Sequence, residues 1–163
     1  NNKNKMAKED ESRLYHQLIS DYKEGYGTDM YNDGVITYKA GKKSHYHAAF
    51  QRLEEELGIN VERVRKRGQA DIVCRYKDDL IYGTWAGLCQ YRSRTRNGSK
   101  YVKLTTHRDQ WYTQSTVVHE IGHALGLRHP YDHSRTDTIM SYGAPGDLPW
   151  FTPLDLAVLD HMY

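Results

Sequence analysis

The chain has 163 residues and a formal net charge of +2, with 23 Lys and Arg against 21 Asp and Glu. That length suits one domain able to bury a core without staples, and a composition with 14 tyrosines and 3 tryptophans excludes a disordered chain. No apolar run approaches the ~20 residues needed to cross a bilayer, and the near-balanced charge implies no polyanionic partner.

Residues 1–7 carry no pattern and are expected to fray. The chain opens Asn1-Asn2-Lys3, with neither an initiator Met nor an apolar leader, so it is expected to be a piece of something longer. From Lys8 to Glu24 the apolar residues Leu14, Leu18, Ile19 and Tyr22 form a helical stripe, which Gly25 and Gly27 stop. Val35 to Lys39 reads as a strand. Tyr46 to Leu57 carries Ala49, Phe50, Leu53 and Leu57 at helical spacing, with Gly58 placed to cap it. Strands are expected at Asn60–Arg65, Asp71–Arg75 and Thr84–Tyr91, and another at Tyr101–Thr106 after the Asn97-Gly98 turn signal. Thr113–Leu125 reads as a helix. An irregular stretch with Gly and Pro follows, and a final helix starts at Pro153, with Thr152 as N-cap and Asp155 at N3. This order predicts an α+β domain with a twisted mixed sheet.

Two basic runs stand out, Arg63, Arg65, Lys66 and Arg67, then Arg92, Arg94, Arg96 and Lys100. They read as solvated strand ends and loops, with no nucleic acid expected as partner, because aromatics do not interleave with them. Cys74 and Cys89 are too few for a disulfide framework. They can pair if their strands are neighbours and are otherwise buried thiols.

The chemistry concentrates in His119-Glu-Ile-Gly-His-Ala-Leu-Gly-Leu-Arg-His129. On a helix, His119 and His123 lie one turn apart on one face, so both imidazoles reach one ion. Zinc takes such nitrogens at roughly 2.0–2.1 Å. Glu120 is rotated by about 100° from His119 and reaches a water rather than the ion. Gly126 ends the helix and turns the chain back, so that His129 approaches as the third ligand. Three neutral imidazoles with an open position describe a catalytic zinc site, with Glu120 as its general base.

This run matches HExxHxxGxxH at every fixed position and resembles the signature of the metzincin clan of zinc metallopeptidases. Ile139-Met140-Ser141-Tyr142-Gly143 is similar to the clan's methionine turn. Pro130 and Tyr142 resemble the serralysins; Trp111 and the ending from Asp155 resemble matrixins, the latter also serralysins. The resemblance implies a metzincin-like domain with a mostly parallel five-stranded sheet, a long active-site helix and a C-terminal helix. It implies Met140 as a floor under the imidazoles, Tyr142 as both a resting zinc ligand and a transition-state donor, and Asp155 as a brace for the Met turn. It also implies an endopeptidase acting on a protein or peptide laid along an edge strand, and favours a secreted or extracellular setting.

The resemblance covers residues 31–163. It leaves 1–30 as a helical extension, either a packing helix or a pro-segment remnant in which Asp29 or Asp33 covers the metal. The calcium repeats of serralysins are absent. The structural-zinc pattern of matrixins is absent too, so His107 reads as a strand-end polar residue. Calcium is possible without a specific motif; Asp132, Asp137 and Asp147 are weak candidates that read better as solvated acids. Leu148, Trp150 and Phe151 form either an apolar wall of the substrate pocket or part of the core. A non-catalytic zinc-binding structural module of a larger protein or assembly is the alternative function.

Overall fold

The computed structural model describes residues 2, 3, 5, 13, 31, 34–78, 86–108, 110–132, 134–142 and 148–163. The helix expected over Lys8–Glu24 falls outside the described residues except at Arg13, as do Asp29, Asp33 and Asp147.

The elements run β1 (Ile36–Lys39), α1 (His45–Leu57), β2 (Val61–Arg63), a short 3-10 turn (Arg67–Gln69), β3 (Ile72–Lys77), β4 (Gly87–Ser93), β5 (Lys100–His107), α2 (Thr113–Leu125) and α3 (Pro153–Met162). The five strands form one sheet in the order β2-β1-β3-β5-β4. All neighbours are parallel except β4, which runs antiparallel to β5 from Gly87↔Thr106 to Ser93↔Lys100. The fold is therefore the expected α+β domain, with β4 as an edge strand.

The period-two pattern explains the core. Tyr38, Ile72 and Leu104 point to the helical side and are almost wholly buried, together with Phe50 and Leu53 of α1 and Val117 and Ile121 of α2. Tyr38 stacks on Phe50 with ring centroids 4.2 Å apart. Full burial of side chains of this size stabilises the fold by roughly 1.5–3 kcal/mol each, which fixes α2 against β4 and β5.

Helix ends follow the sequence signals. Ser44 Oγ accepts from the His47 N–H at the start of α1, and Gly58 closes it with φ 67°. At α3, Thr152 Oγ1 accepts from the Asp155 N–H at 3.3 Å while the Asp155 carboxylate accepts from the Thr152 N–H at 3.0 Å, a complete capping box.

Cys74 and Cys89 sit opposite the same residue, Leu104, from either side. Two strand spacings, roughly 9–10 Å, separate them, beyond the ~7 Å reach of a disulfide. Both are free thiols. In the basic runs, Arg63 donates to the Ala40 carbonyl, and Arg94 donates to those of Arg67 and Ala70. These cations tie loop ends together.

Candidate metal centre

His119 and His123 project from α2 one turn apart. The chain then breaks at Gly126, whose φ is 115° and whose N–H donates to the Gly122 and His123 carbonyls at 2.8 and 3.0 Å. A side chain there is strained in that left-handed conformation. The reversal brings His129 back, and all three Nε2 atoms stand 3.1 Å from one another. Among the described residues this is the one group of three His, Cys, Asp or Glu side chains able to hold a metal ion.

The donor chemistry fits zinc. His119 Nδ1 donates to the Ile139 carbonyl at 2.7 Å, and His123 Nδ1 donates to the Leu127 carbonyl at 2.8 Å. A carbonyl only accepts, so each ring carries its proton on Nδ1 and turns the Nε2 lone pair inward. Burial lowers the pKa of His119; burial, helped by the neighbouring imidazoles, pushes His123 down to about 3. Two neutral rings therefore turn their Nε2 lone pairs toward each other and toward His129, an arrangement that a cation relieves. Nitrogens bound tetrahedrally at about 2.0–2.1 Å stand roughly 3.3–3.4 Å apart, close to the spacing observed.

Glu120, one residue along α2, is buried with 6% exposure. Burial pushes its carboxyl up to about 8. It faces β4, where Gly87, Cys89 and Tyr91 alternate toward α2. A Cβ at Gly87 would stand 2.9 Å from Glu120 Oε1. The Glu120 charge raises Cys89, which burial first of all pushes up to about 12, and Tyr91 OH donates to the His123 carbonyl at 3.1 Å.

Met140 is fully buried against α2 at Gly122. A Cβ at Gly122 would stand 2.5 Å from Met140 Sδ, so this helix position is open only because it lacks a side chain. The turn bearing Met140 is anchored by Asp155. Its carboxylate accepts from Thr138 Oγ1 at 2.5 Å, the Ile139 N–H at 2.9 Å, and the Thr152 N–H and Oγ1 at 3.0 Å. Ile139 thus links Asp155, through its N–H, to His119, through its carbonyl. The Tyr142 ring lies 4.1 Å from that of His129, and its residue is 69% exposed.

The model of metallo-peptidase family M12B, reprolysin-like, matches residues 17–130. The chain belongs to that family. The match takes in the whole histidine triad and ends just before the segment carrying Met140, Tyr142 and Asp155. It begins at residue 17, inside the stretch that the sequence reading set apart as an extension. A search of curated proteins finds no match to the chain. As a reprolysin-like metallopeptidase with this triad, the protein is a zinc-dependent peptidase acting on proteins or peptides. No helix among the described residues is long and apolar enough to cross a membrane.

Trp150 and Phe151 are core residues; Trp150 Nε1 donates to Glu56 at 2.8 Å on α1, and Arg52 lies over its ring. Asp137 pairs with Arg135, and Asp132 accepts from the Ser134 N–H and hydroxyl. His107 is at the end of β5 as expected, but it is buried, and neither ring nitrogen meets a hydrogen-bond partner among the described residues.

Three tyrosines of this peptidase escaped the sequence reading. The last carbonyls of a helix have no partners within it. In α2, Tyr91 OH caps His123, Tyr31 OH caps Ala124 at 2.7 Å and Tyr163 OH caps Leu125 at 2.6 Å. With Gly126 and Leu127 N–H on Gly122, every carbonyl of that last turn is satisfied. No local pattern marks these tyrosines, since their partners lie 93, 32 and 38 residues away.

Proposed function

We propose that this peptidase is an endopeptidase of the metzincin type in which Glu120 is the general base and then the general acid. The observation that carries the reading is the placing of that carboxylate: buried, next along α2 from His119, and without a charged partner among the described residues to fix its proton. Burial lifts its pKa to about 8, into the range where a group can both take and return a proton. A dication next to it favours the ionised form.

The edge position of β4 supports an endopeptidase. Among the described residues β4 bonds within the sheet only to β5, so an extended peptide can add as a further strand and run past the centre in both directions. Bound zinc supplies Lewis acidity, polarising the scissile carbonyl and making water nucleophilic near neutral pH. Glu120 takes the water's proton and hands it to the leaving amine. The exposed Tyr142 donates to the oxyanion and serves as a ligand when no substrate is present. Met140 is the apolar floor of the triad, and Asp155 holds the turn that carries it.

Replacing Glu120 with Ala tests the central role. The variant is expected to bind one zinc per chain and to cleave casein at least 1000-fold more slowly, the scale of loss for a positioned acid/base. Tyr142→Phe is expected to lower kcat while leaving KM nearly unchanged; a rise in KM alone would remove Tyr142 from the transition state.

A further inference from the structure

We propose that Gly87 is a positioning residue for Glu120, because the side chain it lacks sets where the carboxylate stands. The inference rests on the peptidase reading above. A Cβ at residue 87 would lie 2.6 Å from Thr116 Cγ2, 2.9 Å from Glu120 Cγ and 2.9 Å from Glu120 Oε1. Carbon atoms in contact rest about 3.5–4.0 Å apart. Three atoms of α2 therefore occupy the volume that any other residue would fill.

The requirement is for space and not for backbone freedom. Gly87 is not among the glycines with positive φ, which among the described residues are Gly34, Gly58, Gly98 and Gly126. Any residue could adopt its conformation on β4. What excludes a side chain is the close approach of the edge strand to the catalytic helix.

Neither backbone can readily retreat. Gly87 pairs with Thr106 on β5, and Thr106 is fully buried and hydrogen-bonded by Tyr46 OH at 2.9 Å. On the other side, α2 is seated by Val117, Val118 and Ile121, all fully buried. The groups able to move are the Thr116 methyl and the Glu120 side chain. In Gly87→Ala the fold survives and the carboxylate gives way. A misplacement of about 1 Å in a catalytic group costs on the order of 100-fold in rate. The Gly87 site faces the helix and not the outer edge of β4, so peptide binding is left intact.

The test compares Gly87→Ala, Thr116→Ser and the double variant, all zinc-loaded. In Gly87→Ala kcat falls by roughly 10- to 100-fold, KM is unchanged, and the zinc Kd stays within about threefold. Thr116→Ser removes the methyl that stands nearest, and serine can keep the bond to the Tyr112 carbonyl made by Thr116 Oγ1 at 3.1 Å. The double variant recovers any lost Tm but not kcat, since both contacts to Glu120 remain. Recovery of kcat together with Tm would mean that Gly87 merely spaces strand from helix, and would overturn the proposal. So would a full kcat in Gly87→Ala, or a rise in KM alone.

A crystal structure of zinc-loaded Gly87→Ala provides the readout that does not depend on turnover. It shows the Glu120 carboxylate displaced with α2 in place; an undisplaced carboxylate refutes the proposal even if the wild type proves inactive. Inactive wild type would sink the peptidase reading alone.

Discussion

Replacing Asp155 with Ala removes a wholly buried carboxylate that accepts from Thr138 Oγ1, Ile139 N–H, Thr152 N–H and Thr152 Oγ1. The two hydroxyls can turn to other acceptors, but the two N–H groups cannot. Leaving the buried Ile139 N–H and the half-buried Thr152 N–H without a partner costs about 1–3 kcal/mol each, roughly 2–6 kcal/mol together. In a chain of this length that corresponds to a fall in Tm of about 4–24 °C. Asn should do far less harm. Its carbonyl can take the place of Oδ2, which accepts from both N–H groups, while its NH2 faces Thr138 Oγ1, a hydroxyl able to accept instead. The loss then approaches ~1 kcal/mol. Because Ile139 also holds His119 by its carbonyl, zinc affinity should fall in Ala and hold in Asn. Urea unfolding of the apo chain and competition with a chelating dye measure the two effects. An Ala variant within 1 kcal/mol of wild type, or an Asn variant as damaged as Ala, would refute the reasoning.

The tyrosine caps predict a graded result. Tyr31→Phe strands the Ala124 carbonyl and should destabilise more than Tyr163→Phe, since Tyr31 is 7% exposed and Tyr163 39%. Equal Tm values in the two variants would count against the carbonyl accounting. Burial raises Tyr38 to about 12 and raises Tyr46, Tyr91 and Tyr163 as well. A phenol whose folded pKa exceeds its unfolded value near 10 gives stability that is complete below about pH 10 and lost as the pH rises toward 12. Unfolding should therefore accompany a late tyrosinate signal; a single titration near pH 10 with the fold intact would contradict this. Cys74 and Cys89, both raised by burial, should react slowly with a thiol reagent until the chain unfolds. Fast labelling of either in the native state would show that the β3 and β4 thiols are open.

The sequence made the centre legible because its spacing is local. His119, Glu120 and His123 share two turns of one helix, and Gly126 marks where that helix must break. The bounds of α2 were read from the sequence alone, as were the N-cap and N3 of α3, because caps are also local chemistry. What local patterns could not carry was pairing at a distance. That β5 lies between β3 and β4, and so parts the two cysteines, depends on strand order. Trp150 and Phe151 left two readings open, because their neighbours, Arg52 and Glu56 on α1 and Gly122 on α2, lie far along the chain. Tyr31, Tyr91 and Tyr163 looked like any of 14 tyrosines, because each acts on a carbonyl far along the chain. Gly87 carries no motif, and its meaning comes only from the distance between an edge strand and a helix.

The most direct test of the account is casein hydrolysis by the zinc-loaded chain, measured beside the Glu120→Ala variant with zinc counted in both. The account predicts one zinc per chain in each, cleavage at internal bonds by the wild type that a chelator abolishes and zinc restores, and no cleavage by the variant. Equal cleavage by the two proteins, or none by a wild type carrying its zinc, would contradict it.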